Sequence, residues 1–259
     1  MINKQNFKNE KSQVFDSYFS DPILVEEPTI YEFPPEYTNA SSYESWDGYE
    51  PSCTLDNSDE YKNFQIQKAN IKENNLYLGI ERGSDVWMHM ACETALNSVN
   101  DKGGPFGALL LQIDKDTNRI IRYWKNHNQV TLTKDPTAHA EVMTIRSACK
   151  SLGVFDLGEI KKEDSLLDQP GDVSYCVIYS SAEPCPMCYS AICWAKLKAL
   201  LFAATRFDAA VPGVHFSDEE IYNELGLPYA KRHLKIFQCT TGNSLDAFNL
   251  WKRSNKVSY

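Results

Sequence analysis

Long apolar runs are missing from this chain. No segment approaches the roughly 20 consecutive apolar residues of a membrane helix, so no membrane partner is expected. The start, Met1-Ile2-Asn3-Lys4-Gln5, lacks the apolar stretch of a signal peptide. A basic excess is missing as well: 26 Lys and Arg stand against 35 Asp and Glu, for a net charge of −9. The deficit is concentrated in residues 1–80, which hold 6 Lys and no Arg against 14 Asp and Glu. Residues 81–259 are nearly balanced, at 20 basic against 21 acidic residues. Neither part has the charge of a nucleic-acid binder, so nucleic acid is not the expected partner and a small-molecule substrate is. The eight cysteines (Cys53, Cys92, Cys149, Cys176, Cys185, Cys188, Cys193 and Cys239) are not spaced like a secreted disulfide framework. Several sit in apolar stretches, as buried free thiols do. A reducing, cytoplasmic setting is the expectation. No internal repeat is visible.

What is present is enough for a packed core, with 42% apolar and 12% aromatic residues in 259. The composition divides the chain into an acidic, aromatic-rich extension over residues 1–80 and a domain over 81–259. In the extension, Asp21-Pro22, Glu27-Pro28, Pro34-Pro35 and Glu50-Pro51 interrupt every candidate helix. Tyr18, Phe19, Tyr31, Phe33, Tyr37, Tyr43, Trp46 and Tyr49 are many aromatics for a plain disordered tail. An extended arm draped over the domain or over a partner subunit fits them; the alternative is a mobile acidic tail.

From residue 84 onward the elements alternate. Ser84 or Asp85 caps a helix to about Asn100 with Val86, Met90, Ala91, Ala95 and Val99 on its apolar side. Phe106–Ile113 and Arg119–His127 read as a hairpin about the turn Asp116-Thr117-Asn118. A helix follows His139 to about Leu152 and stops at Gly153. Residues 156–173 read as a polar surface loop, and Tyr175–Ser180 as a short apolar strand. A helix from Met187 to about Leu197 comes next, then a strand, Ala199–Ala204, expected parallel and covered on both faces. Helices at 217–225 and 244–254 flank a last strand at 234–240. This alternation argues an α/β sandwich with a mixed sheet.

The chemistry concentrates in Thr137-Ala138-His139-Ala140-Glu141 and Glu183-Pro184-Cys185-Pro186-Met187-Cys188. Two cysteines three apart share one face of a helical first turn, where both sulfurs can grip one metal. Pro186 is at home at the first helical position. The positive end of the helix dipole then points at the sulfurs and favours thiolate, the form a metal binds. His139 supplies a third ligand, and three protein ligands leave tetrahedral zinc one open position, the mark of a catalytic site. Glu141 lies about 200° around a helix from His139. Placed in the first turn, both reach past the helix end to the same point, and a carboxylate there is a proton shuttle. A structural site has no use for Glu141 and takes four protein ligands. Cys-x-x-Cys alone also occurs in redox motifs; the joint, ordered pattern is that of zinc deaminases, in which the glutamate is acid/base and not a ligand.

The stretch from about residue 84 to 259 resembles the cytidine-deaminase superfamily, and within it the bacterial-type guanine deaminases. The resemblance is carried by Gly103-Gly104-Pro105-Phe106-Gly107-Ala108, Asp135-Pro136-Thr137-Ala138-His139-Ala140-Glu141-Val142 and Glu183-Pro184-Cys185-Pro186-Met187-Cys188. Ala191-Ile192-Cys193-Trp194-Ala195, Asp208-Ala209-Ala210 and a terminal tyrosine complete it. It implies a three-layer α-β-α sandwich with a five-stranded mixed sheet, one zinc per subunit held by His139, Cys185 and Cys188, and hydrolysis of guanine to xanthine and ammonia. It further implies a homodimer in which the C-terminal segment crosses to the neighbour. Asn128 would hold the purine, Phe106 pack on the base, Ala140 give a backbone contact, Trp194 bind substrate and Tyr259 close the pocket. Asp218 would relay a second proton beside Glu141, although about two added residues in 211–216 leave Glu219 and Glu220 as alternatives.

Each position also has a bland reading: a turn residue for Asn128, core for Phe106, packing for Trp194, a cap of the 209–212 turn for Asp208 and the N-cap of the helix to Leu225 for Asp218. For Asp208 the cap is favoured. Cys193 reads as core, and His89, His127, His215 and His233 show no ligand spacing. A guanosine deaminase, a tRNA adenosine deaminase and a non-catalytic zinc domain of the same fold remain open alternatives.

Overall fold

The computed structural model describes residues 19–25, 29–31, 76–77, 80, 83 and 85–254. Strand β1 (Ile23–Leu24) is followed by helix α1 (Val86–Asn100) and by the hairpin of β2 (Gly107–Asp114) and β3 (Ile120–His127). A short α2 (Val130–Thr133) leads to α3 (Ala140–Leu152). Strands β4 (Ile160–Lys161) and β5 (Val173–Ala182), helix α4 (Pro186–Trp194) and strand β6 (Leu200–Ala204) complete the sandwich. Three short helices follow, α5 (Arg206–Ala209), α6 (Glu219–Leu225) and α7 (Asp246–Arg253). Among the described residues no helix is long and apolar enough to cross a membrane.

The sheet is mixed and runs β1-β3-β2-β5, with β4 and β6 sharing the far side of β5. Neighbours are antiparallel except β5 and β6, which are parallel from Ile178↔Leu200 to Ala182↔Ala204. Every residue of β2 is buried, because helices cover both faces. Leu109, Leu111 and Ile113 alternate toward α1 together with Val177 and Tyr179. Leu110 faces the other way, with Trp124, Ile145, Ala148, Ile178 and Ile192, under α3 and α4. Those are the three layers.

Asp85 caps α1, its carboxylate accepting from the Met88 N–H, and its second oxygen accepts the Tyr179 hydroxyl at 2.7 Å. The buried stripe of α1 is Ala91, Ala95 and Ser98, whereas Val86 and Val99, expected inside, are 62% and 50% exposed. Close approach explains the difference: a Cβ on Gly107 would meet Ala91 O and Ala95 N at 2.5 Å, so only small residues fit along that contact.

Four further expectations are corrected. Among the described residues the sheet has six strands rather than five, two of them only two residues long. Residues 234–240 form no strand; Leu234 and Phe237 are 70% and 84% exposed, and no strand among the described residues lies beside them to pair. Strand β6 is parallel to β5 as expected, but it lies at the edge and is half-buried instead of doubly covered. The 156–173 stretch is no mere surface loop. Leu157 and Ile160 enter the core, Gln169 bonds Gln112 and Ser174 inside, and the Arg122 guanidinium donates to the Asp168 carbonyl.

The described part of residues 1–80 lies on the domain. Ile23 and Leu24 pair with Tyr123 and Arg122 at the edge of β3, and Tyr31 is buried in the α1-side core. Asn126 donates to the Ser20 hydroxyl, and the Ser20 N–H donates to the Ser147 hydroxyl.

Candidate metal centre and pocket

Two helix N-termini meet at one point. Asp135 sets the first by accepting both the N–H and the hydroxyl of Thr137, at 2.8 and 2.7 Å. The chain then turns through Ala138, whose carbonyl accepts the Gln129 N–H, and enters α3 with His139 as N-cap. Cys185 is the N-cap of α4 with Pro186 behind it, and its carbonyl accepts the Tyr189 N–H. Neither cap residue spends its side chain on the helix. The unpaired first-turn N–H groups and both dipoles therefore favour negative charge between the two ends.

His139 Nδ1 lies 3.6 Å from Cys185 Sγ and 3.4 Å from Cys188 Sγ. All three ligand atoms lie within 4.8 Å of one another. Tetrahedral zinc with ordinary Zn–N and Zn–S bonds would place such N and S atoms about 3.6 Å apart. The donor set fits zinc in both chemistry and spacing. Cys185 is pulled down to about 4, first by its contact with Cys188 and then by His139, while Cys188, the donor in that contact, is pushed up. Cys185 in turn raises His139.

Glu141, second in α3, is buried, and burial raises its carboxyl above the usual range. The Ser180 hydroxyl donates to Glu141 Oε1 at 3.3 Å. A carboxylate held dry beside the three ligand atoms is suited to accept and return a proton. Sequence reasoning missed Ser180, though β-alternation signals it: Cys176 and Ile178 face α3, so Ser180 does too.

Around this centre, Asn128 is buried at the end of β3. Its Oδ1 accepts the Val130 N–H at 3.2 Å, which fixes the amide, and no described residue bonds its Nδ2. A Cβ on Gly104 would meet the Asn128 side chain at 3.1 Å, so the Gly103-Gly104 loop closes against that amide. Phe106 meets Phe216 edge-to-face at 5.0 Å, pairing the first site loop with the 211–216 stretch. Ala140 is fully buried, and its carbonyl accepts the Thr144 hydroxyl at 2.7 Å. Asp218 sits at the N-cap position of α6 without a capping hydrogen bond. Burial raises its pKa, opposed by Arg206 and reinforced by Cys185 and Glu183 nearby.

Trp194 is placed elsewhere: it ends α4, about 13 Å along the helix from Cys185, and is 68% exposed. Tyr259 lies outside the described residues. Asp208, expected to cap a turn at 209–212, is instead the third residue of α5 and closes a capping box with the N-cap Thr205, whose N–H and hydroxyl both donate to it at 2.7 Å. Cys193, read as core, is exposed, because Cys188 and Ile192 take the buried face of α4.

Comparison with known proteins agrees with this geometry. Residues 82–204 match the family described as the cytidine and deoxycytidylate deaminase zinc-binding region. The chain is 39% identical over 171 residues to guanine deaminase of Bacillus subtilis, covering 66% of this chain and 92% of that protein. The X-ray structure of guanine deaminase from Bacillus subtilis matches at 38% identity with a TM-score of 0.54, covering 69% of this chain and 99% of that one. A tRNA-specific adenosine deaminase of Aquifex aeolicus is 29% identical over 122 residues, covering 47% of this chain and 66% of the relative.

Proposed function

The chain belongs to the guanine deaminase family of zinc-dependent deaminases, and from that premise we propose that it hydrolyses guanine to xanthine and ammonia. The observation that carries the reading is a buried Glu141 beside a three-ligand His139, Cys185 and Cys188 set. The likeness to guanine deaminase favours guanine over a tRNA adenosine, since it runs along 92% of that relative and is higher in identity. The nearly neutral 81–259 region, behind an acidic extension, also lacks the basic excess that favours RNA.

Zinc, when bound, supplies a Lewis acid that holds both sulfurs as thiolates and lowers the pKa of a water from about 16 toward neutrality. The protein's part is proton handling and placement. Glu141 takes the proton of the attacking water, whose oxygen adds to C2 of guanine. Glu141 then delivers that proton to the adjacent ring nitrogen. A second transfer, through Glu141 or Asp218, protonates the 2-amino nitrogen so that ammonia leaves. Asn128 holds the purine edge through Nδ2, Phe106 packs on the base, the Ala140 backbone contacts the base, and Tyr259 closes the pocket; Trp194, exposed at the far end of α4, takes no part.

The 1–80 extension and the 81–259 deaminase domain are taken as the two units of the chain. The enzyme works as a homodimer with exchanged C-terminal segments. Supporting this, among the described residues β6 has no strand on its outer side, and residues 234–240 join no strand. Leu234, Phe237, Phe248 and Leu250 are 64–84% exposed, apolar surface that a second copy would cover. The seven described cysteines are all free, in keeping with a cytoplasmic setting.

Ammonia release by the zinc-loaded protein from guanine, guanosine, adenine, cytosine and cytidine tests the substrate. Turnover of guanine above the others is expected. Guanosine as the better substrate would move the reading to a nucleoside deaminase, and silence on all five would end it. Light scattering should give twice the chain mass, falling to one chain mass in Phe237→Asp. A monomeric wild-type protein would remove the exchange.

A further inference from the structure

Tyr77 lies in the 1–80 extension, outside the residues that match the deaminase family. Its hydroxyl donates to Glu183 Oε2 at 2.5 Å, across 106 residues of sequence. The same oxygen accepts the Arg206 N–H at 3.0 Å, and the Glu183 N–H donates to the Ala204 carbonyl at 2.7 Å. Glu183 thus ties the extension to both the end of β6 and the start of α5, two residues before Cys185. On the other side of the same loop, the Tyr222 hydroxyl of α6 donates to the Pro184 carbonyl at 3.0 Å. The Tyr77 ring is seated between Phe202 and Phe207, with centroids at 6.2 and 6.5 Å, so the hydroxyl is aimed by packing. Burial keeps the phenol protonated, hence a donor.

A loop that presents a metal ligand must hold its geometry within a fraction of an ångström, and partners behind the ligands set how tightly it does so. We propose that Tyr77 is a positioning residue for the zinc loop, bracing Glu183-Pro184-Cys185 from the N-terminal extension so that the Cys185 sulfur stays registered with Cys188 and His139. The inference deepens the zinc-hydrolase reading above and rests on it for the identity of the metal. Its consequence is that the acidic extension is part of the working enzyme.

The test uses the full chain. Tyr77→Phe keeps the ring between Phe202 and Phe207 and removes only the donor. Zinc release to a chromophoric chelator should speed up by about 5- to 20-fold, the scale of a lost hydrogen bond to a charged acceptor in a half-buried place. The kcat on guanine should fall about 3- to 10-fold with KM within about twofold, since the metal loop and not the base contacts is loosened. Added to Glu183→Ala, Tyr77→Phe should change zinc release by less than about twofold, because both act through one contact. Unchanged zinc release in Tyr77→Phe, or a loss of Tm with no change in release, would overturn the proposal. Faster release from a protein whose wild type does not turn over guanine would uphold the brace and discard only the substrate reading.

Discussion

Replacing Glu141 with glutamine removes a proton acceptor and almost nothing else. The side chain is buried at 6% exposure, and glutamine fills the same volume. Its Oε1 can still accept the Ser180 hydroxyl, so the local bond is kept. Glu141 is also outside the set of three ligand atoms grouped within 4.8 Å, so zinc binding should survive. What is lost is the group that accepts the water's proton and returns it to the base. A positioned general acid/base is worth about 10²- to 10⁴-fold, or about 2.7–5.5 kcal/mol of barrier. Because Glu141 serves more than one transfer, the loss in kcat should sit at the upper end of that range. The assay pairs ammonia release with zinc content on the same sample. Activity within tenfold of wild type, or a variant that purifies without zinc, would refute the reasoning.

Asn128→Ala should lower kcat/KM on guanine by about tenfold or more, mainly through KM, because it removes a base contact and not a proton carrier; an effect on kcat alone would contradict this. Gly107→Val should lower stability by about 1–3 kcal/mol or more, read as a drop in Tm, since its Cβ would overlap Ala91 O and Ala95 N at 2.5 Å. Burial by itself would push Asp114 up, but the Thr117 hydroxyl and the N–H groups of Thr117, Asp116 and Gly171 outweigh it and hold the carboxyl below its usual range. A depressed carboxyl stabilises the fold above its unfolded pKa of about 3.9, and that contribution is lost as pH falls through the folded value. Asp114→Asn should therefore cost about 1 kcal/mol in chemical denaturation at pH 7, with a gap that is flat above about pH 5 and closes below pH 4; a gap that widens on acidification would contradict the assignment.

The parts of this protein that were legible in sequence are those whose signal is local. The ends of α3 and α4 are written in the chain: His139 and Glu141 flank a helix start, and Cys185-Pro186 places a ligand at N-cap with proline at N1. The long strands of the sandwich follow from short apolar runs, and their observed limits differ from expectation by one or two residues at most ends. What was hidden depends on pairing across the sequence. Two-residue β1 and β4 exist only because β3 and β5 offer them an edge. Gln169, polar and in a turn-rich stretch, is buried because Gln112 and Ser174 are there to bond it. Residues 234–240 have the apolar content of a strand but pair with no strand among the described residues. Tyr77 and Tyr222 reach the zinc loop through tertiary contacts 106 and 38 residues long, for which no spacing rule exists.

Hydrolysis at C2 of guanine is the reaction to which His139, Cys185, Cys188 and Glu141 are assigned. Incubating the zinc-loaded full chain with guanine in water enriched in oxygen-18 and analysing the product by mass spectrometry tests this directly. The expected result is xanthine carrying one solvent oxygen atom, formed in equal amount with ammonia. Guanine recovered unchanged from protein with zinc bound stoichiometrically, or xanthine without the label, would contradict it.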